Sequence, residues 1–433
     1  MPTNATYAYD LESLMNVDEH HTHFAHLIED RQKAFDVRLA LIDEAQSQID
    51  ITYYVIHSGA AQALFYGALL NAADRGVNVR LIIDWLFYME RNHLIESDLT
   101  ALSMHPNIEV KLYEPFSLKA PYAIQNRLHD KFIVIDQTYA LIGGRNIGDR
   151  YFFDFDEPGQ MTQDRDVLIF GEDSQYPPVL AMSAYYESLF NYAHNMVLEG
   201  VHQDENRDKV LKADYLKYQK LYLPDQLLNT LKVNAIQVDN ITFLRSPLER
   251  MQKSPVVFQT LVNISEHYES ITIQSPYIIF SKPMHRMLPK NTHHEYTILT
   301  NSIAVSPNFL AASGYLNNRQ LLARYSDLYE YQNQTSLHTK TVLMGDDLTV
   351  IGSLNLDPRS AFLSTESVVV IISESFNEHV KRVNNDYFEN SLRVLESGAY
   401  EPNEDVLPTS MNRLRYLAIK LFSYMSYLFP EML

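Results

Sequence analysis

Apolar and polar positions along this chain switch between two periods, and the switches outline its elements. Residues 34–47 (AFDVRLALIDEAQS) repeat apolar positions at helical spacing, whereas 49–56 (IDITYYVI) form a strand-like run bounded by polar residues and Gly59. A helix is predicted over 60–74, ending before Gly76 at a position suited to a C-cap. VNVRLIID at 77–84 and IEVKLYE at 108–114 read as strands, followed by KFIVID and TYALIGG, two short strands joined by a polar turn. DVLIF at 166–170 continues the sheet, and 177–196 reads as a long helix.

A second cycle follows in the same order. Residues 253–266 read as helix, SITIQSPYIIF at 270–280 as strand, and EYTILTN at 295–301 matches VRLIID in type. A short helix is predicted over 307–315 and a strand with an irregular edge over 322–331. KTVLMG and LTVIGS mirror the first paired strands, VVVIIS at 368–373 mirrors DVLIF, and 376–395 mirrors 177–196. One α/β domain used twice is the economical reading. It divides the chain into an extension (1–33), a first domain (34–200), a Lys/Asp/Gln-rich linker (201–235), a second domain (236–410) and a tail (411–433), with the boundary inside 198–235.

The repeat also carries chemistry. His129-Asp130-Lys131 precedes one apolar strand and His338-Thr339-Lys340 the other. In both, a Gly (Gly143, Gly352) follows the Lys by 12 positions, and an Asn (Asn146, Asn355) follows that Gly by three. A lone histidine beside a core strand is ordinarily a packed or surface residue; the whole spacing repeated is a shared site. Spacing of i, i+2 puts His and Lys on one face of an extended segment, with Asp130 or Thr339 turned away. Such a set suits phosphodiester chemistry. One histidine attacks phosphorus, the other protonates the departing oxygen, and the covalent phospho-histidine passes to water or an alcohol. Ammonium and amide groups stabilise the charge gathered on oxygen. No metal or other cofactor is required.

Composition narrows the class. With 433 residues, 46% hydrophobic and 21% charged, the chain is globular and long enough for two domains. A net charge of −19 opposes broad nucleic-acid binding, although Arg145 and Arg245 are expected to join Lys131 and Lys340 in a locally positive cleft. The absence of cysteine excludes disulfides and thiol catalysis. His20, His21, His23 and His26 read as a polar surface patch rather than a metal site. The first residues lack a basic start followed by an apolar core, so no standard signal peptide is expected, and no stretch reaches the roughly 18 apolar residues of a membrane span. Residues 412–429 (NRLRYLAIKLFSYMSYLF) form a basic amphipathic segment, suited either to covering the second domain or to lying on an anionic bilayer.

The chain resembles the phospholipase D superfamily, whose signature is HxKxxxxD followed by GG/GSxN, and within it the bacterial cardiolipin synthase-like members. The likeness rests on AFDVRLALIDEA, LLNAADRGVNVRLIID, RLHDKFIVIDQTYALIGGRNIGDRYF, SPYIIF and SLHTKT…VIGSLNLDPRSAFLSTE, and runs from about residue 34 to the C-terminus. It implies duplicated phospholipase D-like domains, each a mixed sheet flanked by helices, with the motifs meeting in a shared interface active site. It implies His129 as nucleophile and His338 as general acid. Lys131, Lys340, Asn146 and Asn355 would bind phosphoryl oxygens, Glu366 in LSTE would orient His129, and Asp164, preferred over Asp166, would orient His338. Asp136 closes the first motif. Where the second calls for a carboxylate the chain has Gly345, so either Asp346 serves through a shifted backbone or that half-site is looser. Arg359 in NLDPRS either caps a helix or touches substrate; Trp85, beside Asp84, and Tyr277 are expected to pack near the cleft. The substrate implied is a glycerophospholipid, met by a peripheral protein on the cytoplasmic face of the membrane. Water as acceptor gives phosphatidic acid; phosphatidylglycerol or another alcohol gives cardiolipin or an exchanged lipid. A nuclease and a catalytically weak lipid-binding protein are the competing readings, and nothing points to a protein partner.

Overall fold

The computed structural model describes residues 9–428 apart from 155–160, 173–175, 200–205, 290–293 and scattered shorter gaps, so positions 429–433 of the tail lie outside the described residues. The first half contributes strands β1 (His23–Ile28), β2 (Gln48–Tyr53), β3 (Asn78–Asp84), β4 (Ile108–Tyr113), β5 (Phe132–Ile135), β6 (Tyr139–Gly143), β7 (Thr162–Gln163), β8 (Asp166–Gly171) and β9 (Met196–Val197). The second contributes β10 (Ile236–Val238), β11 (Asn240–Arg245), β12 (Ser270–Gln274), β13 (Glu295–Asn301), β14 (Asp327–Tyr331), β15 (Ser336–Leu337), β16 (Thr341–Met344), β17 (Leu348–Gly352), β18 (Ser367–Ile372) and β19 (Ser391–Arg393).

Two large mixed sheets result, ordered β10-β1-β8-β6-β5-β2-β3-β4-β9 and β11-β18-β17-β16-β12-β13-β14-β19. Apart from β10 they have the same plan. β2-β3-β4 and β12-β13-β14 are parallel, while β5, β6 and β8, like β16, β17 and β18, pair antiparallel. The central strands read as unbroken apolar runs because both faces are covered. One face of the first sheet packs on α1 (Arg31–Glu44) and α2 (Ala60–Asp74) through Phe35, Leu39, Phe65 and Leu69. The other meets the second sheet. Phe132, Val134, Ile142 and Val167 share one buried cluster with Leu343, Ile351, Val369 and Ile371, joined by Tyr185 and Phe376 from flanking helices. Buried Arg165 ties the halves further, donating to Gln274 Oε1 at 3.1 Å, Thr341 Oγ1 at 2.9 Å and Asn384 Oδ1 at 2.9 Å.

Three boundaries differ from the sequence reading. Residues 1–33 are not simply an extension: β1 sits inside the first sheet, and His23 is buried with Nδ1 2.7 Å from the Tyr176 hydroxyl, not on a surface patch. The described residues of the 201–235 stretch are not an irregular linker but two helices of the first domain, α5 (Arg207–Tyr222) and α6 (Pro224–Val233), with Leu211, Tyr215, Leu228 and Leu231 in its core. Their abundant lysine and aspartate occupy the outer face, which hides the narrow apolar stripe. Gly67 of α2 admits α5 closely, since a Cβ there would lie 2.3 Å from Leu211 O. The domain seam therefore falls between β10, which closes the first sheet, and β11, which opens the second.

Elements within the halves also shift. Between α2 and α5 lie α3 (Asp149–Phe152) and α4 (Pro177–Phe190), the latter ending before the predicted 196. In the second half come α7 (Val256–Ser265), α8 (Phe309–Tyr325), α9 (Pro358–Phe362), α10 (Glu374–Glu389) and α11 (Arg413–Leu428). The short helix expected over 307–315 continues as α8 to Tyr325, and the strand expected from 322 begins at Asp327. Asn308 caps α8 by accepting from Leu310 N and Ala311 N, and the helix runs through the buried Gly314 to end before Ser326. Among the described residues no helix is long and apolar enough to cross a membrane.

Candidate active site

Each motif histidine lies just before its strand, and its backbone is held by the opposite half. Leu128 bridges Thr365, and His129 N donates to Thr365 O at 3.2 Å. In the mirror position β15 pairs with β7, and His338 N donates to Gln163 O at 2.7 Å. The next residue in each supporting segment is a carboxylate aimed back at the imidazole. His129 Nδ1 lies 2.8 and 2.9 Å from the two oxygens of Glu366, and His338 Nδ1 lies 2.5 Å from Asp164 Oδ2. Asp164, not Asp166, is thus the partner of His338; Asp166 instead pairs with Arg38 at 3.0 Å and Arg145 at 2.7 Å. Occupation of Nδ1 turns chemistry to Nε2 of each ring, and Nε2 of His338 lies 3.3 Å from Lys340 Nζ.

Both histidines line one cleft of about 570 Å³, together with Asn146 and Asn355. Asn146 Nδ2 donates to the Tyr151 hydroxyl at 3.2 Å, and Asn355 Nδ2 to the Tyr277 hydroxyl at 3.1 Å. The other amide atom of each is buried without a protein partner among the described residues. Rotated by half a turn, the same amides accept from the tyrosines and present N–H donors to a phosphoryl oxygen. Beneath them Lys131 Nζ donates to His129 O at 2.6 Å, and Lys340 Nζ donates to His338 O. Gly143 and Gly352 allow this crowding: a Cβ would meet Arg165 O and Ser367 O at 2.3 Å.

Burial sets the protonation pattern. It pushes Lys131 down to about 7 and Lys340 down to about 8, despite Glu366 and Asp164 nearby. Burial, followed by the charges of Lys131 and Lys340, holds His129 well below the usual histidine range; burial and Lys340 bring His338 to about 4. The carboxylates diverge. Burial raises Glu366 to about 7, whereas Lys340 and His338 overcome burial and hold Asp164 at about 2. An arriving phosphate offsets the lysine charges and favours protonation of the histidine beside the fixed Asp164 anion.

The other residues singled out from sequence separate into those in the cleft and those outside it. Arg359 and Tyr277 line it. Arg145 does not: it is buried and donates to Asp166, Ile28 O and Glu29 O. Arg245, on β11, instead lies over the Tyr185 ring at 5.2 Å. Trp85 packs on the first core, and Asp84 is buried against Arg127 at 2.9 Å. Asp136 is structural, accepting from the backbone N–H of Gln46, Ser47 and Gln48 at 2.7–2.9 Å.

Asp346 does not take that role in the second half; it is exposed and pairs with Lys381 at 2.7 Å. The turn is unshifted. Asp136 N donates to Gln48 O and Gly345 N to Ser270 O, with φ of +49° and +56°. The space filled by the Asp136 carboxylate in one half is taken by Tyr268 in the other, 2.6 Å from where a Gly345 Cβ would stand.

Sequence reading missed Tyr54, whose ring meets His129 edge-on at 4.8 Å, Tyr151, edge-on to His338 at 5.8 Å, and the cleft residues His57, Arg150 and Asp357. Arg150 had a signal: it follows Asn146 by four positions, as Arg359 follows Asn355.

Comparison with known proteins agrees with this geometry. The family described as "Cardiolipin synthase, PLD-like domain" matches residues 39–175 and 261–388. Cardiolipin synthase C of Escherichia coli K12 is 29% identical over 399 residues, 81% of each chain. An uncharacterised protein of Helicobacter pylori (strain ATCC 700392 / 26695) is 29% identical over 417 residues, 85% of this chain and 80% of its own. The phosphatidylserine synthase of Haemophilus influenzae Rd KW20 shares the fold, with a TM-score of 0.68 over 97% of each chain at 14% identity. Since the matched segments span more than half of the chain and each holds one copy of the motif, this protein belongs to the cardiolipin synthase, phospholipase D-like family.

Proposed function

We propose that this chain transfers phosphatidyl groups between glycerophospholipids through a phospho-histidine, in the manner of a cardiolipin synthase, with hydrolysis as the side branch. The observation that carries this reading is the crossed pair His129–Glu366 and His338–Asp164 in one cleft. Neutral His129 attacks phosphorus through Nε2 as the bond to the head-group oxygen breaks, and His338 protonates that oxygen. In the second step an acceptor hydroxyl gives its proton to His338, its oxygen bonds phosphorus, and the bond to His129 breaks. Lys131, Lys340, Asn146 and Asn355 surround the phosphoryl oxygens. The different partners favour this assignment of roles: the fixed anion of Asp164 suits the histidine that must carry a proton.

Access to lipid is served by α11. Ile419 faces inward and is fully buried, while Leu414, Leu417 and Leu421 are 75%, 60% and 64% exposed beside Arg413 and Lys420. Phe422 of α11 packs edge-on against Phe309 of the cleft at 5.0 Å, so the helix adjoins the cleft. The segment thus both covers the second domain and presents a basic apolar stripe to an anionic bilayer, consistent with a peripheral protein on the cytoplasmic face.

Incubation with phosphatidylglycerol, phosphatidylethanolamine and cardiolipin, with and without glycerol, followed by lipid mass spectrometry, tests the reading. Cardiolipin or exchanged lipid is expected from the wild type and neither from His129→Ala. Vesicle binding without turnover would leave a lipid-binding protein instead.

A further inference from the structure

Two arginines face the cleft at equivalent positions of the repeat, Arg150 on α3 and Arg359 on α9. On the phosphatidyl-transfer reading two lysines and two asparagines serve the reacting phosphate, so the arginines add positive charge beyond what one phosphodiester calls for. Their surroundings place them on opposite sides. Arg150 Nε donates to Thr162 Oγ1 at 2.9 Å, and Thr162 Oγ1 lies 3.1 Å from Ser336 Oγ. Those two residues open the β7–β15 pair that leads into Asp164 and His338. The guanidinium also lies 5.8 Å from the Tyr151 ring, which itself meets His338. Arg359 instead donates to Gln125 Oε1 at 3.1 Å, in the segment that leads into His129.

In-line displacement puts the nucleophile on one side of phosphorus and the entering or leaving oxygen on the other. With His129 bonded to phosphorus, the acceptor approaches from the side of His338 and Arg150. We propose that Arg150 binds the second phosphate of a lipid acceptor, the phosphodiester already carried by an alcohol such as phosphatidylglycerol. That phosphate lies three carbons from the attacking hydroxyl. Held by a guanidinium, it directs the hydroxyl oxygen to phosphorus and its proton to His338 as the phosphorus–His129 bond breaks. Water and glycerol carry no phosphate and gain nothing from Arg150. This inference rests on the phosphatidyl-transfer reading and adds the choice of acceptor to it.

The test is a partition measurement on the full chain with phosphatidylglycerol vesicles and labelled glycerol. Cardiolipin, labelled phosphatidylglycerol and phosphatidic acid all drain the same phospho-His129, so a slower first step cancels from their ratios. Arg150→Gln is expected to lower cardiolipin relative to phosphatidic acid by roughly ten-fold or more, while labelled exchange relative to phosphatidic acid holds within about two-fold. Arg359→Gln is expected to move all three products together. An unchanged ratio in Arg150→Gln, an equal fall in labelled exchange, the same shift in Arg359→Gln, or a wild type that yields only phosphatidic acid would each overturn the subsite. Should Arg150→Gln fail to fold, Arg150→Lys carries the same comparison: a several-fold fall in cardiolipin relative to phosphatidic acid supports the guanidinium subsite and an unchanged ratio overturns it. A wild type that forms none of the three products removes the transfer reading itself, and the subsite with it.

Discussion

Glu366 and His129 are 237 positions apart, yet the imidazole Nδ1 stands 2.8 and 2.9 Å from the two carboxylate oxygens. Neither half of the chain holds a complete site. Each supplies a histidine and the carboxylate that orients the other's histidine.

That crossing fixes a pH dependence. Burial raises Glu366 to about 7, against the pull of Lys131 and the Ser353 hydroxyl. Once protonated it accepts only weakly from His129 Nδ1–H and no longer supplies an anion beside the ring, so turnover is expected to fall as pH drops through about 7. Asp164, held at about 2, stays ionised throughout and adds nothing to this limb. Glu366→Gln is expected to flatten the limb and lower kcat by roughly 10²–10⁴-fold. Stability moves the other way. A folded-state value above the ordinary 4.5 is a contribution present below 4.5 and lost as pH rises through about 7. Glu366→Gln should therefore be more stable at pH 8, by up to about 3 kcal/mol. A pH–rate profile and melting curves at pH 5 and 8 check both; an unaltered acid limb would move the assignment elsewhere.

The two histidines are separable by leaving group. An activated phosphodiester with a nitrophenolate leaving group departs without a proton, so His338→Ala should still give a burst of one nitrophenolate per site and then stall. His129→Ala should give none. Rapid-quench kinetics with detection of phospho-histidine distinguishes these outcomes, and phosphate trapped on His338 would reverse the roles.

Gly345 meets a conformational requirement. Its φ of +56°, and the Tyr268 ring only 2.6 Å from where a Cβ would stand, make any side chain costly. Gly345→Ala and Gly345→Asp are both expected to lose about 1–3 kcal/mol of stability. Asp346→Ala should leave turnover and melting temperature unchanged. Adding Tyr268→Gln to Gly345→Asp recreates the first-half arrangement, in which Gln46 stands at the equivalent place, and should recover part of the loss. Denaturant titration of the four variants decides; a Gly345→Asp chain that is faster and as stable as the wild type would restore the view of a loosened half-site.

The outward leucines of α11 allow membrane contact to be removed without entering the cleft. Replacing Leu414, Leu417 and Leu421 with serine should weaken binding to anionic vesicles by roughly 10²-fold, while turnover of a short-chain, monomerically dissolved phospholipid persists. Vesicle sedimentation alongside a soluble-substrate assay measures both, and undiminished sedimentation would locate the docking surface elsewhere.

Much of this protein is legible along the chain because its information is local and stated twice. Strand runs such as FIVI and TVLM declare themselves by composition, and the His, Lys, Gly and Asn spacing identifies a site through repetition. Arg150 was within reach on the same terms, since its interval from Asn146 repeats that of Arg359 from Asn355. Charge and sequence order mislead where tertiary packing decides. The polar face of α5 disguised a helix that Gly67 admits to the first core, and β1 gained a place in the sheet only because β8 and β10 flank it. Arg145 and Arg359 both stand close to a motif asparagine; buried pairing with Asp166 withdraws one and exposure to the cleft retains the other. The distinction between Asp164 and Asp166 likewise depends on packing: the two are spaced for one face, yet Asp164 meets His338 of the other half while Arg38 and Arg145 of its own half hold Asp166. A sequence specifies which residues can ionise and which segments can bury themselves, but only the docking of the two sheets determines which charges are left facing the same cleft.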